Sequence, residues 1–213
     1  MGTLRRLAPL SDEWGFDRGT PVDRHYIGVY LDRHRADIRG RVLEILDDSY
    51  ARRYGTSVTE VEVLDIDASN ARATIVADLA DCDHVPGGRF DCVVLTQTLQ
   101  LIPDVRAAVR NVHRLLAPGG VLLATVPVIS RIVPRYGLEM DHWRFTPASS
   151  RLLFGDAFGA DNVRLTPMGN HLAAVAFLTG MAREELRRSE LEGVDPYFPV
   201  VIGVRAVKGA DAA

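Results

Sequence analysis

A doubly wound α/β domain, a mostly parallel sheet of seven strands with helices on both faces, is what the sequence predicts. Three observations carry it. Short apolar runs, Phe90 to Leu95 and Val121 to Val126 above all, lack the alternation of a half-exposed strand, so they read as strands buried on both faces, which belong to parallel sheets covered by helices. Between those two runs lies an amphipathic segment, Val105 to Leu116, with Val105, Val109, Val112 and Leu116 on one face and Arg106, Arg110 and Arg114 on the other. Strands then keep alternating with helices or loops along the rest of the chain, the pattern of a sheet wound on both sides.

In order, residues 1–22 form a turn-rich lead-in containing Trp14, Gly15, Phe16, Gly19 and Pro21, followed by a helix from Val22 to about Ile38 that stops near Gly40. Val42 to Leu46 is the first strand, and the polar stretch Asp47 to Gly55 leads to a second at Val61 to Leu64. Ala73 to Ala77 is a short third strand and Asp78 to Val85 a loop. Phe90 to Leu95 is the fourth strand. Pro118 stops the amphipathic helix and Gly119-Gly120 turns the chain into the fifth strand. Ile132 to Arg144 reads as irregular. Thr146 is an expected N-cap with Pro147 at the first helical position, opening a helix to Phe158. Asn162 to Leu165 is the sixth strand, Asn170 caps a helix reaching Glu185 or beyond, and Val200 to Val207 is the last strand. The expected organisation is a lead-in and helix over residues 1–40 on one domain over residues 41–208.

The composition is 47% hydrophobic and 25% charged, ordinary for a globular chain. A net charge of -3 argues against a general nucleic-acid binder, which needs a basic surface. The N-terminus has no apolar signal core, and the longest apolar candidate, Leu172 to Leu178, is far below a membrane span. The expectation is a cytoplasmic protein with no membrane partner. Cys82 and Cys92 have no metal-like spacing and read as free thiols; no metal is expected.

In such sheets ligands sit outside the carboxyl ends of the strands, where strand order reverses. Several residues there are distinctive. Val42-Leu43-Glu44-Ile45 forms the first strand, an acid closes the second, and Asp78-Leu79 follows the third. Phe90-Asp91 opens the fourth, and Leu115 to Pro127 reads LLAPGGVLLATVP. This series resembles the class I S-adenosylmethionine-dependent methyltransferases, which have a Rossmann-like fold. Asp141-His142-Trp143-Arg144-Phe145-Thr146 and Asp17-Arg18-Gly19-Thr20-Pro21 further resemble small methyltransferases found near, or fused to, glycosyltransferases of glycan or natural-product pathways.

The resemblance implies S-adenosylmethionine as cofactor and a small-molecule or glycosyl acceptor, methylated on oxygen. It implies that Glu44 opens the cofactor loop and that Asp65, or Asp67 two positions on, receives the ribose hydroxyls. Asp78 and the Leu79 amide would take the adenine, and Thr96, Gln97 and Thr98 would lie beside the methionine part. One departure stands out: Leu46 occupies the place of the family's first glycine, and no glycine follows before Gly55. Its side chain would meet the methionine carboxylate unless Asp47, Asp48 and Ser49 take a wider path. A hydroxyl acceptor must lose a proton, and His142, with Asp141 to orient it, is the expected base. Trp14, Tyr26, Tyr30, Tyr136 and Trp143 serve either as packing anchors or as a wall for a ring substrate.

Two further readings stand beside the first. The lost glycine suits a methyltransferase fold turned to a cofactor-independent cyclase, isomerase or non-catalytic partner. A nicotinamide dehydrogenase fits less well, because the chain has neither Gly-x-Gly-x-x-Gly after the first strand nor a Tyr-x-x-x-Lys pair.

Overall fold

The computed structural model describes residues 6–133 and 137–210. Seven strands form one sheet: β1 Arg39–Ile45, β2 Ser57–Asp65, β3 Ile75–Val76, β4 Phe90–Thr96, β5 Leu116–Pro127, β6 Val163–Met168 and β7 Val201–Val207. Their spatial order is β3-β2-β1-β4-β5-β7-β6. The first five run parallel, and β7 enters antiparallel between β5 and β6. The chain moves outward from β1 to β3 and then crosses back to β4. The strand order therefore reverses between β1 and β4.

The apolar runs divide their residues between two cores. Leu43, Val93, Leu95, Leu122 and Ala124 face one, while Val42, Cys92, Val94, Val121 and Leu123 face the other. This is the period of two expected of a strand, with apolar partners on both sides, and it is why no polar alternation appears in the sequence. Helices α3 Val105–Leu115 and α4 Pro147–Phe158 cover the first face; α1 Val22–Arg33 and α5 His171–Thr179 cover the second. Each fully buried Leu or Val contributes roughly 1.5–3 kcal/mol. Leu95→Ala, at a fully buried position near the end of β4, would cost about 2–5 kcal/mol.

Helix ends follow local chemistry. Asp104 caps α3 by accepting from the Ala107 amide, and Asn170 caps α5 by accepting from Ala173. Thr146 and Ser149 form a reciprocal capping box at α4, with Pro147 at the first position, as expected. Three expectations are corrected. The polar stretch after β1 contains a short helix, α2 Ser49–Tyr54, and β2 begins at Ser57. The helix starting at His171 ends at Thr179, because Gly180 turns left-handed at φ 77° beneath Ser11; only a turn and the short α6 Arg188–Glu192 follow. The first helix likewise ends at Arg33, ahead of a tight turn at Arg35–Asp37.

The lead-in is tied to the segment after α5. Leu10 donates to the Thr179 carbonyl at 2.6 Å, Arg183 donates to the Thr20 carbonyl at 2.8 Å, and Arg18 pairs with Glu185. Cys82 and Cys92 are buried free thiols. Among the described residues, no helix is long and apolar enough to cross a membrane.

Candidate functional site

The carboxyl ends of β1, β2, β4 and β5 open on the same edge of the sheet, around the reversal point. At β1, Glu44 is only 2% exposed. Its two oxygens accept the Tyr50 amide at 3.0 Å and the Ala51 amide at 2.7 Å, so the carboxylate holds the first turn of α2. Burial pushes its pKa up to about 7; the two amides oppose that rise, and Asp47 and Asp48 add to it. Glu44 thus shapes the loop after β1 from beneath.

Leu46 follows at φ 74°, a left-handed conformation that a side chain disfavours and glycine adopts freely. Its amide donates to the Leu64 carbonyl at 3.1 Å, and its side chain is 52% exposed instead of entering the core. A leucine thus occupies a backbone conformation that glycine favours. Asn70 then joins two strand ends: its amide donates to the Leu46 carbonyl at 2.7 Å and to Asp65 at 2.6 Å.

Asp65 ends β2, half-buried. One oxygen accepts from Asn70 and the other accepts the Asp67 amide at 3.0 Å. A carboxylate has about four acceptor positions, so two remain for a ligand. Asp67 is exposed and caps its own turn by accepting from the Ser69 amide at 2.8 Å. After β3, Asp78 is exposed and accepts the Ala80 amide at 2.8 Å. Leu79 is buried, with its carbonyl held by Asn111 of α3 at 3.0 Å.

At β4, the Thr96 carbonyl accepts from the Thr98 hydroxyl at 3.0 Å. Gln97 turns left-handed at φ 48°, and its amide donates to the Thr125 carbonyl of β5 at 3.0 Å. Two non-glycine residues with positive φ thus stand at the ends of β1 and β4, one on each side of the reversal point. Such conformations concentrate where the chain is shaped for a ligand. Among the described residues, the side-chain nitrogen of Gln97 is buried without a partner, as is the side-chain oxygen of Gln100 in the turn Leu99–Leu101.

The segment after β5 returns to this edge. The backbone amides of His142 and Trp143 both donate to the Gln100 carbonyl, at 2.8 and 3.2 Å, and the Trp143 indole donates to the Ile102 carbonyl at 2.9 Å. His142 is thereby brought beside the end of β4, with its side chain exposed. Asp141 is not directed at His142, as the sequence suggested. Its side chain is 1% exposed, and its oxygens accept from Arg144 at 2.6 and 2.9 Å and from the Val133 amide at 3.2 Å. The Arg144 hydrogen bonds hold its pKa below the usual carboxylate range. Asp141 therefore braces the loop through Arg144, which also donates to the Ser130 and Arg131 carbonyls.

Of the aromatic residues that read as packing anchors or a substrate wall, two are packing anchors. Tyr26 and Tyr30 are buried in the core under α1, and Tyr136 lies outside the described residues. Trp14, at 3.4 Å from the Ser130 hydroxyl and beneath the Arg131 guanidinium, and Trp143 remain near the loop after β5. Asn70, Gln100 and Arg144 were not singled out from the sequence. The signal nearest to hand was composition: Gln97 and Gln100 are the chain's two glutamines, three residues apart.

These features fit the adenosylated cofactor that the sequence implies. Asp65 has acceptor capacity left, and Leu46 holds a backbone conformation that glycine favours. Among the described residues no group of three metal-ligating side chains gathers.

Comparison with known proteins agrees. A family profile described as a methyltransferase domain matches residues 38–152, more than half of the chain. No curated protein matches in sequence. Among solved structures, a chain in the complex of the Haloferax volcanii Trm112 methyltransferase activator with a methyltransferase superposes with TM-score 0.60 at 17% identity, over 90% of this chain and 92% of that one. An S-adenosylmethionine-dependent methyltransferase of Mesorhizobium loti gives 0.54 at 18% identity, over 91% and 100%. The 4+2 cyclase SpnF gives 0.55 at 14%, over 96% and 88%, so the fold by itself does not distinguish reactions. The family profile, with the strand order above, identifies the chain as a member of the class I S-adenosylmethionine-dependent methyltransferases.

Proposed function

We propose that this domain transfers the methyl group of S-adenosylmethionine to an oxygen of a small-molecule or glycosyl acceptor. The observation that carries this reading is the convergence of Asp65, Gln97 and the His142 segment on the edge where the strand order reverses. Bound S-adenosylmethionine supplies an electrophilic methyl group, so the protein has to orient two ligands, exclude water and accept one proton. In this reading Asp65 accepts the two ribose hydroxyls, with Asp67 as the nearby alternative, and Asp78 and the Leu79 amide receive the adenine. The Thr96 and Gln97 backbone flanks the methionine part. Glu44 acts indirectly, by holding the α2 turn that follows Leu46. An imidazole nitrogen of His142 takes the proton from the acceptor hydroxyl, and Asp141 positions that segment through Arg144.

The test is a calorimetric titration with S-adenosylhomocysteine, which needs no acceptor, followed by mass spectrometry of hydroxylated acceptors incubated with enzyme and cofactor. Micromolar binding and gain of one methyl on oxygen are expected. A cofactor-independent cyclase, isomerase or non-catalytic partner is the second reading, favoured by the Leu46 side chain at the loop mouth. Failure to bind at millimolar S-adenosylhomocysteine, with the protein folded, would select it.

A further inference from the structure

We propose that Gln97 and Gln100 form a subsite that recognises a non-reacting hydroxyl of the acceptor, so that the substrate is a polyhydroxy compound. The two glutamines line a small cavity with Pro127, Ser130, Asp141 and Arg144. Its volume, about 20 Å³, admits one oxygen-sized group. Gln100 is 7% exposed. Its side-chain nitrogen donates to the Gln97 carbonyl at 2.7 Å, a bond only the NH₂ end can make, so the amide orientation is determined and the oxygen is left as an unpartnered acceptor. The Gln97 side chain contributes an unpartnered buried nitrogen, a donor.

Buried polar groups without partners are destabilising, and natural proteins retain few of them. A donor and an acceptor carried by two residues that line one oxygen-sized space match a hydroxyl, which both accepts and donates. Among the described residues the cavity provides no free base. Its carboxylate, Asp141, is taken up by Arg144, and amide side chains do not accept a proton at neutral pH. A hydroxyl held there keeps its proton, so it is not the one methylated. The reacting oxygen must be another on the same molecule. Sites built in this way reject analogues that lack the hydroxyl, because their buried polar groups are then left unpaired.

This inference rests on the acceptor reading above, and its test separates the two. Because the chain has only these two glutamines, selective ¹⁵N-glutamine labelling of the full chain gives just two side-chain amide signals. The labelled protein is titrated with methyl β-glucopyranoside, glycerol and catechol, and with tetrahydropyran as the hydroxyl-free control. Contacts from so few groups are weak, so saturable shifts of both signals with dissociation constants of about 1–100 mM are expected. Tetrahydropyran should give none. Gln100→Leu should weaken the response of the remaining Gln97 signal about tenfold or more. Absence of a saturable shift with every hydroxylated probe, meaning that the cavity holds water only, would overturn the proposal. Equal shifts with tetrahydropyran, or an unchanged response in Gln100→Leu, would do the same. A parallel S-adenosylhomocysteine titration reports on the methyltransferase reading by itself: loss of that binding with intact glutamine shifts would sink the cofactor assignment and leave the hydroxyl subsite standing.

Discussion

Replacing Leu46 by glycine should leave the domain about as stable as before and strengthen cofactor binding. Three contributions decide the stability. A side chain at φ 74° costs roughly 1–2 kcal/mol, which glycine recovers. Leu46 is 52% exposed, so removing it forfeits about half of the roughly 1.5–3 kcal/mol that full burial of a leucine provides, on the order of 1 kcal/mol. Glycine also adds freedom to the unfolded chain, a loss of about 0.5–1 kcal/mol. The sum lies within about 1 kcal/mol of zero, whereas an ordinary buried leucine would lose several. Binding has only one direction to move, since a bare backbone lets a ligand approach the Leu46 to Asp48 turn; a tenfold gain is about 1.4 kcal/mol. Urea unfolding followed by circular dichroism gives the first quantity and titration with S-adenosylhomocysteine the second. Leu46→Val is the control: branching at Cβ aggravates the left-handed strain, so stability should fall. A loss beyond about 2 kcal/mol in Leu46→Gly, or weaker binding, would refute the reasoning that this residue stands in for a glycine.

The other predictions address the surrounding groups. Asp65→Ala should weaken S-adenosylhomocysteine binding by about 1.5–3 kcal/mol, the worth of hydrogen bonds to a charged group, with the far-ultraviolet spectrum unchanged. Unaltered calorimetry would remove Asp65 from the site. His142→Ala should lower kcat by about 10²–10⁴ without changing cofactor affinity; near-normal turnover would mean that positioning alone suffices. Glu44 keeps its proton to about pH 7 in the fold and to pH 4.5 in the unfolded chain, so its contribution to stability is complete below pH 4.5 and is lost as pH rises to 7. That amounts to roughly 3 kcal/mol, and Glu44→Gln should flatten this part of a stability-versus-pH curve measured in urea. Arg144→Met leaves the Asp141 carboxylate buried and unpaired, a penalty of about 3–5 kcal/mol. It should appear as proteolytic nicking between residues 128 and 144, and an intact loop under protease would contradict the bracing role.

What the sequence made legible was what local pattern encodes. The runs at Phe90 and Val121 announced strands with two apolar faces, and Thr146-Pro147 announced a helix start, because each signal is complete within a few residues. Helix α2 was not legible: at six residues, with two arginines and no apolar stripe, it owes its existence to Glu44 beneath its first turn. The pattern after Leu172 to Leu178 carries a helix through Gly180, and the crossing of Ser11 above that glycine explains the stop. In the site, acids at strand ends could be picked out by position. The pairing of Asp141 with Arg144 could not be told from a pairing with His142, since all three lie within four residues. Asn70 reaches across to the Leu46 carbonyl, and the Gln100 carbonyl holds the distant His142 segment, contacts that no local pattern reveals.

The placement of β7 has a consequence for biosynthesis. This strand is the last of the sheet in sequence, yet it lies between β5 and β6 and contacts the first helix, where Gly203 leaves room for the ring of Tyr30; Arg205 pairs bidentately at 2.8 Å with Asp37 of the turn that follows. As the chain emerges from the ribosome, β1 to β5 can pair among themselves, but β5 keeps an open edge and α1 lacks part of its seat until Val201–Val207 is made. An uncovered apolar edge of that kind invites pairing with other chains. Nascent chains stalled before residue 201 should therefore be retained by chaperones, and release of the folded domain should coincide with synthesis of its final strand.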